Sequence, residues 1–204
     1  MPSDSSTDVA ARIRIRRADA ADAAMLSAFA ERIFRETFEA SNDPADMAAY
    51  LAEAFAVERQ REEIAAADAI VLLAEDLTGS ADRGTGSNAD APRATPLAGY
   101  SHLTAGEPPD CVAGPDLLEV KRFYVDSTWQ GTGLAQLLMR ATLDAAVASG
   151  ARTVWLGVWE HNPRAIAFYR KLGFAEVGAH DFMLGRDRQT DLIMVRAASA
   201  LPPL

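Results

Sequence analysis

The chain has 204 residues, 49% of them hydrophobic and 24% charged, with a formal net charge of −9 and a pI near 4.8. That length and balance suit a soluble globular domain with a real core, and the acidic excess argues against general nucleic-acid binding, which wants a basic face. Cys111 stands alone, which excludes an intramolecular disulfide and a cysteine-based zinc site.

The first ten residues are small and polar and are expected to be disordered. They carry no continuous apolar segment of the signal-peptide kind, and no run in the chain reaches membrane-spanning length. A cytoplasmic protein without a membrane or nucleic-acid partner is therefore expected. RIRIRRA, Arg12 to Ala18, alternates and predicts a first strand with Ile13 and Ile15 on one face. Asp19 or Asp22 then suits the cap of a helix carrying Leu26, Phe29, Ile33 and Phe34 at three- and four-residue spacing. A second helix restarts at Asp43 as N-cap and Pro44 as first helical residue, and a third covers Val57 to Ala67. Ala69 to Asp76 is a short apolar run, hence a buried strand.

Leu77 to Pro96 is rich in Gly, Ser, Ala, Asp and Pro and nearly empty of large apolar groups. It cannot bury enough surface to offset its ordering entropy, so it reads as a flexible loop inside one domain spanning 11–197, followed by a tail at 198–204. Leu97 to Thr104 and Asp116 to Asp126 read as strands. A helix follows in which Leu134, Leu137, Leu138, Ala141, Ala145 and Ala148 form one stripe, with Gly150 as its stop. Arg152 to Trp159 is a strand on which Trp155, Gly157 and Trp159 share a face. A short helix runs from cap Asn162 and Pro163 to Gly173, and strands near Phe174–Met183 and Thr190–Arg196 close the chain. Helices interleaved with strands around a mixed sheet give the α/β class.

The chemistry concentrates where the strand ending near Val125 meets the Leu134 helix. Gln130, Gly131, Thr132, Gly133, Leu134 and Ala135 lead into a helix that begins with two glycines, the residues that most weaken a helical turn. A helix N-terminus gathers unpaired N–H groups and partial positive charge, and glycines let a phosphate reach the backbone. The stretch reads either as a diphosphate cradle or as an ordinary tight turn. It fits neither the P-loop nor the dinucleotide spacing.

VDSTWQGTGLA resembles the acyl-CoA loop of the GCN5-related N-acetyltransferases, whose pattern Gln/Arg-x-x-Gly-x-Gly/Ala falls here on Gln130, Gly133 and Ala135. NPRAIAFYRKLGF is similar to the second signature of that superfamily, with Asn162, Ala165, Tyr169 and Gly173 in place. ETFEASNDPADMAAYLAEAF and the stretch from VWLGVWE to DLIM resemble the bacterial PaiA-type spermidine/spermine N-acetyltransferases, a likeness running from about Arg14 to Val195; the 77–96 segment departs from it.

The resemblance implies a mostly antiparallel twisted sheet with a V-shaped splay between its two central strands, and acetyl-CoA as co-substrate without a metal. It implies that Phe123, Tyr124 and Val125 flank the pantetheine arm, that Asn162 and Ala165 contact the cofactor, and that Tyr169 is the general acid toward the departing thiolate. It implies a small-molecule amine acceptor, a polyamine first; a protein α-amine or lysine is the alternative within that chemistry, and a CoA-binding module without turnover the alternative outside it. Whether the chain pairs as a homodimer stays open. An amine with lysine-like pKa is neutral in only about one molecule in 2,500 at pH 7, worth roughly 4–5 kcal/mol, so a base is wanted. Glu119, on the strand entering the cofactor loop, is the first candidate, with Glu160 and His161 next and deprotonation by water as competitor. Glu36, Glu39, Asp43 and Asp46 suit either attraction of a polycation or a solvated helix face.

Overall fold

The computed structural model describes residues 5–78 and 95–201. In chain order the elements are α1 (Ser5–Arg12), β1 (Ile13–Arg17), α2 (Ala23–Phe38), α3 (Pro44–Ala54), α4 (Val57–Ala65), β2 (Ile70–Asp76), β3 (Leu97–Thr104), β4 (Leu117–Val125), α5 (Leu134–Ala148), β5 (Thr153–Trp159), α6 (Pro163–Lys171), β6 (Ala175–Leu184) and β7 (Asp187–Ala197). In place of the disorder expected at the N-terminus, Ser5–Arg12 are helical, and Val9 is buried against Trp129, Leu134 and Leu138. Packing on another helix can order a segment whose own composition is too polar to predict it, here through Val9 and through Arg12 over the Trp129 ring. Of the low-complexity stretch Leu77–Pro96, residues 79–94 lie outside the described residues.

The caps follow the sequence. Asp19 and Asp22 form a capping box at the entry to α2, and Asp43 accepts from Ala45 N and Asp46 N ahead of Pro44. Asn162 accepts from Ala165 N at 3.1 Å. The stripe expected on α5 is rotated: Leu134, Leu138, Met139, Thr142, Leu143 and Ala146 are buried, while Ala148 is exposed. Thr142 hid this face, because its hydroxyl is satisfied inside the core by the Leu138 carbonyl and Ser101 Oγ, each at 2.8 Å.

The seven strands lie in the order β1-β2-β3-β4-β5-β7-β6, all neighbours antiparallel except β4 and β5. That one parallel pair is short. It comprises Leu117↔Thr153, Leu118↔Val154 and Glu119↔Trp155, after which the strands part. A bulge explains the parting: opposite β3, His102 pairs with Arg122 but Leu103 with Val120, leaving Lys121 as the extra residue. A bulge bends its strand and re-aims the side chains beyond it. Before it Glu119 points to the face carrying Trp155; beyond it Tyr124 packs with α2 while Phe123 packs with α6.

The splay opens between two separate cores. On one face α2 and α3 pack Leu26, Phe29, Ile33, Phe34, Met47 and Leu51 against Leu73 and Tyr100. On the other, α5 and α6 pack Met139, Leu143, Ile166 and Tyr169 against Val154, Leu156 and Val158. A buried charge cluster ties α4 to the bulge: Glu63 takes Lys121 Nζ at 2.9 Å and pairs closely with the Arg122 guanidinium. Burial pushes the neighbouring His102 down to about 4, so its imidazole is neutral at pH 7.

Candidate active site

A cleft of about 480 Å³ passes through the sheet where β4 and β5 separate. Of the residues expected at the site, Glu119, Phe123, Tyr124, Val125, Gln130, Ala135, Asn162, Ala165 and Tyr169 all line it. Gly131 and Thr132 instead line a neighbouring hollow of about 510 Å³ with Arg12, Asp76 and Trp129, and Gln130 touches both. The Leu134 side chain is fully buried in the core and lines neither; only its main chain belongs to the loop.

The two glycines at the start of α5 have a conformational reason. Gly131 has φ 77° and Gly133 φ 99°, a region costing an L-residue about 1–2 kcal/mol. Gly133 is the N-cap and makes no side-chain cap hydrogen bond. The first helical amide, Leu134 N, has only a long contact of 3.4 Å to Thr132 Oγ1. No heavy atom lies within 4 Å of where a Gly131 Cβ would be. A fifteen-residue helix thus presents open amides and its dipole to a site with no side chain in the way. Two groups unmarked by the sequence reading frame this end. Asp126 accepts from Thr128 N at 2.9 Å and pairs with Arg32 at 2.6 Å, anchoring the turn. The Arg164 guanidinium hydrogen-bonds Gln130 Oε1 and brings positive charge to the loop. The contrast with α6 is instructive, because there Asn162 already fills the cap.

In the middle of the cleft the α6 face presents Ala165, Phe168 and Tyr169. Phe123 stacks on Phe168 with centroids 5.8 Å apart and meets Tyr169 edge-on at 6.4 Å. The Tyr169 hydroxyl has no hydrogen-bond partner among the described residues, and burial alone pushes its phenol up from the ordinary value. Across the sheet Glu119 occupies the last paired position before β4 and β5 part. It has neither a hydrogen bond nor an ion pair among the described residues. Burial pushes its carboxyl up, with Lys121 and Arg122 opposing. Glu160 and His161 face solvent 3.9 Å apart and do not line the cleft. Of the early acidic residues, Glu36 pairs with Arg32, Asp46 with Arg186, and Asp43 is a cap.

The outer face of the cleft was not anticipated beyond the tryptophans. Trp155 is buried with Val112 and Ile193, and its Nε1 has no acceptor among the described residues. Trp159 is half-buried and meets Phe38 edge-on at 5.8 Å. Phe34, Phe38, Tyr50, His180, Phe182, Gln189 and Asp191 complete this wall. They come from α2, α3, β6 and β7, far apart in sequence, and no local motif marks them. Among the described residues no group of His, Cys, Asp or Glu could hold a metal, and no helix is long and apolar enough to cross a membrane.

An open helix N-terminus, a strand pair that separates beside it and a cleft leading through the sheet fit an extended thiol ester with an anionic head. The chain is similar to several known proteins. Residues 29–174 match the acetyltransferase (GNAT) family. An uncharacterized N-acetyltransferase from the pepI 3' region of Lactobacillus delbrueckii subsp. lactis is 29% identical over 170 residues, 83% of this chain and 88% of that protein. A spermine/spermidine N(1)-acetyltransferase of Bacillus subtilis is 32% identical over 62 residues, 30% of this chain and 41% of that protein. Among solved structures, the PaiA N-acetyltransferase of Thermoplasma acidophilum in complex with coenzyme A has a TM-score of 0.65 over 91% of this chain and 98% of that one, at 19% identity, a likeness of fold. The chain belongs to the acetyltransferase (GNAT) family and is an acetyl-CoA-dependent N-acetyltransferase.

Proposed function

We propose that the acceptor is a primary amine of a polyamine such as spermidine or spermine, and that Glu119 and Tyr169 carry the proton transfers. The observation that carries this reading is the pair of unpartnered groups on either side of the splay: Glu119 at its apex and the Tyr169 hydroxyl on the α6 side. The amides of Gly131 to Ala135 and Arg164 would hold the diphosphate, with Asn162 and Ala165 beside the chain that follows. The exposed edges of β4 from Phe123 to Val125 and of β5 would take the amide groups of the extended arm. The acceptor enters from the face of Trp155 and Trp159.

The amine nitrogen attacks the thioester carbonyl carbon; the N–C bond forms and the C–S bond breaks. Glu119 takes the proton the amine must lose, directly or through water, and Tyr169 gives one to the departing sulfur. The raised carboxyl of Glu119 lies closer to the working pH than an ordinary glutamate, which favours a general base. The raised phenol of Tyr169 stays protonated at neutral pH, as a general acid must. Holding the reactants together in one cleft supplies much of the rate. The partial likeness to the B. subtilis spermine/spermidine enzyme supports the polyamine choice.

A CoA-release assay over a panel of amines and peptides tests the reading. Turnover on spermidine and spermine above simple monoamines is expected. Turnover confined to peptide α-amines or lysines would move the acceptor to proteins, and absence of turnover on every amine would remove the acceptor assignment.

A further inference from the structure

The outer half of the cleft holds a feature that acetyl transfer alone does not require. Five aromatic rings form a continuous arc. Trp159 meets Phe38 at 5.8 Å, Phe38 meets Phe34 at 4.6 Å, Phe34 meets Tyr50 at 4.9 Å, and Tyr50 meets Phe182 at 5.7 Å. One end of the arc, Phe182, lies on the β6–β7 hairpin, and the other, Trp159, lies on β5 beside it. There Asp191 stands directly opposite Trp159 on β5 and opposite His180 on β6, and Phe182 follows His180 by two residues on the same face. The arc and this one carboxylate therefore line the same part of the cleft.

Asp191 is half-buried and has neither a hydrogen-bond donor nor an ion pair among the described residues. Burial pushes its carboxyl up, and among the described residues His180 is the one charged neighbour opposing this; Lys121 and Arg122 both pair with Glu63. The Tyr50 phenol is pushed up by burial, with Arg122 opposing and the Asp191 charge adding to it, which sets Tyr50 within electrical reach of the carboxylate. Gly157 makes the room. A Cβ there would stand 3.1 Å from Asp191 Oδ2 and 3.5 Å from His180 Nε2, so a larger residue would crowd the carboxylate and the imidazole where they lean over β5. The buried Trp155 Nε1, without an acceptor, lies two residues along the same face.

A carboxylate left unpaired among aromatic faces is the arrangement that recognises an organic ammonium, by charge and by cation–π attraction together. Asp191 is also set apart from the reacting end. Glu119 pairs with Trp155 and Asp191 with Trp159, four residues further along β5, roughly 13 Å at strand rise. We propose that Asp191, beside the arc of Trp159, Phe38, Phe34, Tyr50 and Phe182, binds a second, non-reacting ammonium of the acceptor, so that the enzyme selects amines with two or more cationic nitrogens on an extended chain. This rests on the amine-acceptor reading above and adds the residue that measures the acceptor's second charge. His180 flanks that carboxylate across the hairpin.

The test is calorimetry of spermidine and of n-butylamine binding to CoA-loaded enzyme, wild type against Asp191→Asn, alongside turnover of both amines. Asn is close to isosteric, so the fold is kept and only the charge goes. Spermidine affinity is expected to fall at least tenfold in the variant, and the spermidine over n-butylamine preference in kcat/KM to collapse by a similar factor. Gly157→Ala, which leaves the charge in place but crowds it, should weaken spermidine binding by a smaller factor. Spermidine affinity unchanged by Asp191→Asn, or no spermidine binding to the wild type, overturns the proposal. Binding that depends on Asp191 without spermidine turnover would instead sink the polyamine acceptor reading and leave the cation site standing.

Discussion

The two ends of the cleft are built by opposite means. The end at α5 is made of backbone: two glycines at positive φ, a cap without a side-chain bond, and open amides. The end at the β6–β7 hairpin is made of side chains, Asp191 and the rings beside it, carried by elements from α2 to β7. A backbone site is specified by a few adjacent residues and suits a ligand part that every reaction shares. A side-chain site can change one residue at a time without disturbing the helix terminus, and suits the part that differs between acceptors. The splay between β4 and β5 joins the two.

Both ends rest on one buried support. Glu63 holds Arg122 and Lys121 at the bulge that opens the splay. Replacing it by Gln leaves a buried arginine without its counter-charge, an effect of about 3–5 kcal/mol on unfolding by urea. The Glu63 carboxyl is held below its usual range, burial opposing and Arg122 and Lys121 prevailing. Its folded-state pKa thus lies below the unfolded one. The stability it contributes is fully present above the ordinary glutamate pKa and is lost as pH falls through the folded value. Glu63→Gln should flatten that acid limb; an unchanged limb would show that the cluster does not carry it.

The next effect separates chemistry from binding. Tyr169→Phe is expected to lower kcat by about 10²-fold while leaving acetyl-CoA affinity nearly intact, since the hydroxyl binds nothing else among the described residues. For Glu119→Gln the informative readout is the pH profile. Once rates are corrected for the fraction of neutral amine, the wild-type rate should fall on the acid side above the ordinary glutamate pKa, because the raised carboxyl protonates there. The variant should lack that limb. A profile that keeps it would move the base elsewhere.

The smallest effect tests the backbone end. Gly133→Ala at φ 99° should cost about 1–2 kcal/mol, read in the melting temperature, and weaken acetyl-CoA binding measured by calorimetry. The spermidine over n-butylamine preference should be left as it was. A shift in that preference would mean that the two ends are not independent.

Some of this was open to reading from sequence alone. Gln130 to Ala135, Asn162 and Tyr169 stand in short segments whose geometry depends on near neighbours, and Pro163 and Asp43 marked helix starts that the structure places where expected. Thr142 lies on the buried face of α5 because its hydroxyl finds partners inside the core, which the spacing of apolar residues alone does not show. Arg164 sits beside a recognisable cap yet meets Gln130 only through folding. Val9 looked like part of a featureless tail until α1 found α5 to pack on.

The features legible along the chain are therefore local: the glycine turn, the caps, the strand alternation and the order of the signatures, each governed by residues a few positions apart. Tertiary structure alone decided where Asp191 and His180 stand, which way Glu119 and Tyr124 point across the bulge at Lys121, and how five rings from α2, α3, β5 and β6 meet. Strand register and bulge position are settled by pairing across long loops, and a slip of one residue would turn the strand side chains among them to the other face.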